Sequence, residues 1–118
     1  MKPLLLSFLF LFVFYIPKNA QWTLQHEFTG LSGIANPWAV DENVCWGFLT
    51  YTSNALGYFK TTDGGSTWQD GSFNIGTVMG ISCINARSAS TAYFGAYLSG
   101  GQWKIIKTTD GGTSWVAQ

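Results

Sequence analysis

Beyond residue 20 the apolar positions fall in short runs broken by Asn, Asp, Ser and Gly. Trp38-Ala-Val40, Val44 to Tyr51, Leu56 to Thr61 and Thr67-Trp68 form a first series. Gly80 to Ile84, Thr91 to Leu98, Trp103 to Thr108 and Ser114 to Ala117 form a second, with a longer first loop. The runs are rich in aromatic and β-branched residues and too short for helices, so they predict strands joined by tight turns. A further strand is expected around Gln21 to Phe28. Apolar residues recurring every three or four positions behind a capping residue are missing from this region, so helix should be nearly absent there.

The first 20 residues follow another pattern. Met1-Lys2 gives a positive start, Leu4 to Ile16 is uncharged and apolar, Pro17 ends the run and Ala20 offers a small residue for cleavage. This predicts a signal peptide over residues 1–20, leaving residues 21–118 as the mature part. Lys18 fits poorly at the third position before that cut, which leaves the cleavage site and a retained anchor open. The run is nevertheless shorter than the roughly 20 apolar residues a spanning helix needs. The expected destination is the periplasm, the cell surface or the medium, with no membrane span after cleavage.

The two strand series are related by sequence. Phe59-Lys-Thr-Thr-Asp-Gly-Gly-Ser-Thr-Trp68 returns as Ile106-Lys-Thr-Thr-Asp-Gly-Gly-Thr-Ser-Trp115, at an offset of 47 residues. The same offset pairs Val44 with Thr91 and Trp46 with Tyr93. A unit of this length with four strands is a propeller blade or a solenoid turn. The units run over about residues 38–70 and 79–118.

In each unit an Asp-Gly-Gly segment lies between two strand-like runs. Glycine takes positive φ at little cost, so the segment should turn one strand back on the next. Asp63 can accept hydrogen bonds from the amides that follow it, while the hydroxyls of Thr61 and Thr67 satisfy groups nearby. Trp68 follows, where a large ring can cover the hairpin.

Thr61-x-Asp63-x-Gly65-x-Thr67-Trp68 and Thr108-x-Asp110-x-Gly112-x-Ser114-Trp115 resemble the Asp-box, or BNR repeat, with Ser114 a conservative variant. That family includes sialidases, some endoglucanases, sortilin-type receptors, photosystem assembly factors and many secreted bacterial proteins. The resemblance covers roughly residues 38 to 115 and implies an all-β chain: a β-propeller fragment of about two four-stranded antiparallel blades after an N-terminal signal helix. It implies that the box is an external structural turn, so these ten residues are expected to serve the fold rather than a reaction. Propellers close with roughly four to eight blades, so the chain is expected to be the N-terminal piece of a longer ring, and on its own to be unstable or to oligomerise.

Composition narrows the function further. Aromatic residues at 17% against charged residues at 10%, with 14 glycines, suit many short strands. Past residue 20, Lys60, Arg87, Lys104 and Lys107 face Glu27, Asp41, Glu42, Asp63, Asp70 and Asp110. No basic patch forms, so nucleic acid is not an expected partner. Cys45 and Cys83 fall on different strands of neighbouring units. In an oxidising compartment a disulfide is permitted, and two buried free thiols are the other reading.

Catalytic signals are sparse. His26 is the single histidine and has no nucleophile placed beside it by any motif. No metal, nucleotide or other cofactor motif is present, and no cofactor is expected. Sialidase chemistry, as the resemblance implies it, needs several arginines, and Arg87 stands alone. Asp41, Glu42 and Asp70 lie outside the boxes; solvated loop acids are the expected reading, and a glycosidase carboxylate pair is the alternative. Trp22, Trp38, Trp103 and Tyr97 are expected to fill the core rather than stack on sugars. The leading expectation is a non-catalytic module that presents loops to a protein or glycan. The alternative is the scaffold part of a glycoside hydrolase whose catalytic residues lie on other blades.

Overall fold

A computed structural model of the chain describes residues 24–118. The expected leader over residues 1–20 and Trp22 lie outside the described residues, as does the start of the strand expected around Gln21 to Phe28. Leu24 to Phe28 form no strand, which corrects that expectation for the part described.

All regular structure among the described residues is β. The first sheet contains β1 (Leu31–Ala39), β2 (Cys45–Tyr51), β3 (Leu56–Thr61) and β4 (Gln69–Ser72); the second contains β5 (Val78–Ala86), β6 (Ala92–Leu98), β7 (Gln102–Thr108) and β8 (Val116–Ala117). Each is an antiparallel meander in which neighbours in sequence are neighbours in space. No helix among the described residues is long and apolar enough to cross a membrane.

Three strand boundaries differ from the sequence pattern for identifiable reasons. β1 begins at Leu31, well before Trp38, because the breakers within it are absorbed by irregular pairing. Register shifts lie between Leu31 and Gly33 and between Ala35 and Trp38. Asn36 takes φ 50° there, and Pro37, which has no N–H to offer, follows it on an edge strand. β4 starts at Gln69, not at Thr67. Thr67 gives its amide and its hydroxyl to Asp63, and Trp68 Nε1 folds back onto the Gly65 carbonyl, so both residues belong to the turn. For the same reason β8 is reduced to Val116–Ala117: Ser114 and Trp115 are held by Asp110 and Gly112.

The core lies between the sheets. Trp46 and Tyr58 of the first sheet meet Phe94, Ile106 and Trp115 of the second, with Phe73 of the connecting segment wedged among them. Each such apolar side chain contributes on the order of 1.5–3 kcal/mol by leaving water. Alternation along the strands sets the faces: Trp46 pairs with Lys60 and Phe48 with Tyr58, so these four side chains share the inward face of the first sheet.

Both cysteines are free thiols. Cys45 is half-buried, and burial raises its pKa above the usual value. The expectation of two buried thiols fails at Cys83, which is exposed. It faces outward across from Gly95, where the Cys83 Sγ and Ser82 Oγ atoms occupy the space a β-carbon would take and no larger side chain covers them.

Candidate functional site

The Asp63 and Asp110 turns are built alike. Asp63 Oδ1 accepts the Thr67 amide at 2.8 Å and the Thr61 hydroxyl at 2.8 Å, while Oδ2 accepts the Thr67 hydroxyl at 2.6 Å. The Thr61 hydroxyl oxygen in turn accepts the Gly65 amide at 2.9 Å. In the second turn Asp110 takes the Ser114 amide at 2.9 Å, the Ser114 hydroxyl at 2.5 Å and the Thr108 hydroxyl at 2.8 Å, and Gly112 N donates to Thr108 at 2.9 Å. Positive φ at Gly64, Gly65, Gly111 and Gly112 closes both turns. The Ser114 hydroxyl, then its amide, then the Thr108 hydroxyl hold the Asp110 carboxyl down at about 2; Thr67 and Thr61 lower Asp63 in the same way. Carboxylates saturated with donors in this manner are poor proton carriers.

The Asp110 turn is also a seat for the first sheet. Lys60 Nζ donates to the Gly111 carbonyl at 2.7 Å and reaches the Ala89 carbonyl at 3.5 Å. Tyr58 OH donates to the Gly112 carbonyl at 3.1 Å, Trp46 Nε1 to Ser88 at 3.0 Å, and Trp38 Nε1 to Ala86 at 3.1 Å. The Lys60 ammonium lies 5.0 Å from the centroid of the Trp46 ring. Burial lowers the Lys60 pKa, and the nearby Asp110 charge opposes that shift. Four polar side chains of one sheet thus end on backbone carbonyls of the other, satisfying acceptors that packing removes from water.

The remaining candidates do not converge. Asp41 spends its carboxylate on the amides of Asn43 and Val44, both at 2.8 Å, in its own hairpin. Asp70 accepts the Tyr51 hydroxyl at 2.9 Å, at the opposite end of β2. Burial first, and Asp70 second, push Tyr51 up to about 12, the wrong direction for a phenolate nucleophile. Glu42 and Arg87 are exposed, and His26 is an exposed ring set edge-on to Phe28 at 4.4 Å. Among the described residues no group of three or more His, Cys, Asp or Glu is placed to hold a metal.

Trp38 reaches the Ala86 carbonyl at the seam between the sheets yet is 40% exposed, so core packing is corrected there, as it is at Trp103, which is 61% exposed. The Trp103 ring stands 5.2 Å from Tyr97 on the outward face of the second sheet. A cavity of about 360 Å³ opens between the β2–β3 hairpin and the connecting segment, lined by Ser53, Asn54, Ser72 and Thr77 with Leu56 and Phe73.

Trp46, Tyr58 and Lys60 were not singled out by their residue types. The available signal was a lysine inside an apolar strand run, returning 47 residues later as Lys107 beside another aromatic position.

No family model matches the chain, and no curated protein or solved structure matches it either.

Proposed function

We propose that the chain forms part of an exported β-propeller of the Asp-box type that binds a protein or glycan and performs no catalysis. The observation that carries this reading is the stacking of two four-stranded meanders through one recurring Asp-Gly-Gly turn, with Lys60, Tyr58 and Trp46 anchored on the second copy of that turn. Stacked meanders of this kind are how radial repeats bury their faces. The hydroxyl- and amide-lined cavity between the hairpin and the connecting segment has no titratable side chain in its wall, which favours recognition of a neutral polar ligand over acid–base chemistry. The carboxylates of Asp41, Asp63, Asp70 and Asp110 already serve local hydrogen bonds, which weighs against the hydrolase alternative.

The test uses the complete gene product against a broad polysaccharide panel, with binding and sugar release read in parallel. Retention on at least one glycan or protein ligand without release of reducing sugar is expected. Release that persists after affinity purification overturns the reading.

A further inference from the structure

The seat on the second sheet has an open counterpart on the first. Shifting its residues back by 47 positions carries Ser88 to Asp41, Ala89 to Glu42, Gly111 to Gly64 and Trp115 to Trp68. Those positions border a cavity of about 250 Å³ between the β1–β2 hairpin and the Asp63 turn, on the face of the first sheet turned away from the second. Gln25, Val44, Cys45 and Thr61 are among the other residues of its wall. Where the filled seat has a serine and an alanine, the open one has two carboxylates.

The side chains that fill the seat also have counterparts. Lys107 corresponds to Lys60, Tyr93 to Trp46 and Ile105 to Tyr58. Lys107 pairs with Tyr93 across β6 and β7, and its ammonium lies 5.5 Å from the centre of that ring, much as Lys60 lies over Trp46. Ile105, on the same outward face, is 47% exposed. The chain therefore carries a plug on the outer face of the second sheet and a matching socket on the outer face of the first, with one plug-and-socket contact already made internally between the two.

We propose that the Asp41–Glu42 cavity receives the Lys107–Tyr93 pair of a second copy of this chain. The internal contact supplies the geometry, in which a lysine lying over an aromatic ring ends on the first glycine carbonyl of an Asp-Gly-Gly turn and reaches a carbonyl of the neighbouring hairpin. The carboxylates of Asp41 and Glu42 add a charge match that the internal contact lacks, since a lysine entering this socket meets acids where Lys60 and Trp46 meet the backbone of Ala89 and Ser88. Because plug and socket are different surfaces, the association is head to tail; it closes into a ring or grows as a filament and does not stop at a symmetric dimer. This inference does not depend on the propeller reading, because it needs only the two sheets and their shared contact.

Sedimentation velocity of the full chain over a range of concentrations tests the proposal. Species larger than a dimer are expected, and K107E and E42K should each weaken self-association by about tenfold or more while leaving the β circular dichroism intact. Mixing the two variants is the sharper measurement. K107E retains a socket and E42K retains a plug, so the mixture should form a one-to-one heterodimer and nothing larger. A monomer at all concentrations overturns the proposal, as do assemblies indifferent to K107E, the result expected if the apolar N-terminal run drives association. Failure of the mixed variants to pair also overturns it.

Discussion

The two Asp-Gly-Gly turns share their hydrogen bonds almost atom for atom, yet the tryptophans they hold live in different surroundings. Trp115 is 4% exposed and touches Trp46, Tyr58, Phe73 and Phe94, whereas Trp68 is half-buried against Phe28 and Phe59. The turn is written by local sequence, and its burial is decided by what lands on it. The pairs beneath the turns adapt in the same sense. Phe94 faces Ile106 in the second sheet; at the matching positions of the first, Gly47 faces Phe59, whose ring lies where a Gly47 side chain would stand. The large ring has changed strands and the layer is still filled.

The largest effect separating the two turns should come from their tryptophans. Trp115→Ala is expected to cost about 3–5 kcal/mol in urea unfolding, and Trp68→Ala clearly less; equal losses would mean that the sheets do not stack through Trp115. Next come the glycines. Gly65 and Gly112 both have positive φ, so alanine at either costs about 1 kcal/mol or more in strain. At Gly112 the added carbon also falls on the Tyr58 ring and hydroxyl, while at Gly65 the nearest atom outside the turn is Gln25 Oε1 at 3.4 Å. Gly112→Ala should therefore destabilise by about 2–4 kcal/mol and Gly65→Ala by about half of that, read as a difference in denaturation midpoint.

Acid should treat the turns alike. A carboxyl held at about 2 in the folded chain, against a usual 3.8, stabilises fully above the usual value and loses that contribution as pH falls towards 2. The melting temperature should decline through this window, and Asp110→Asn should flatten the decline, as should Asp63→Asn. A slope unchanged in both variants would place the acid sensitivity elsewhere. The smallest effect belongs outside the comparison altogether: Tyr51→Phe removes a half-exposed bond to Asp70 and should shift stability by less than about 1 kcal/mol, providing a baseline for the rest.

These differences mark how far the sequence could be read. The all-β class and the turn chemistry were legible because both depend on neighbours in the chain, with Thr61, Asp63, Gly65 and Thr67 forming a closed circuit within seven positions. Strand ends were less so. Thr67 and Trp68 have strong β preference but are consumed by the turn, and Gly33, Asn36 and Pro37 resemble breakers yet sit in the bulges of an edge strand. The contacts between sheets were not legible at all. That Lys60 ends on Gly111, or Trp46 on Ser88, depends on which faces meet, and a lysine in a β run reads as a solvent-facing residue until the opposing carbonyl is known.

Every strand among the described residues pairs with its immediate predecessor or successor, and that bears on the order of events during synthesis. Hairpins of low sequence separation zip quickly, so the first sheet can assemble as soon as β4 has been made. At that moment Trp46 and Tyr58 are still bare, because the segment that covers them has yet to be translated, and the nascent chain displays a sticky aromatic surface. The Asp110 turn, translated after all four strands of the first sheet, brings the acceptors that Lys60 and Tyr58 require. Translation stalled before Thr108 should accordingly leave a half-finished product that chaperones hold and proteases clear.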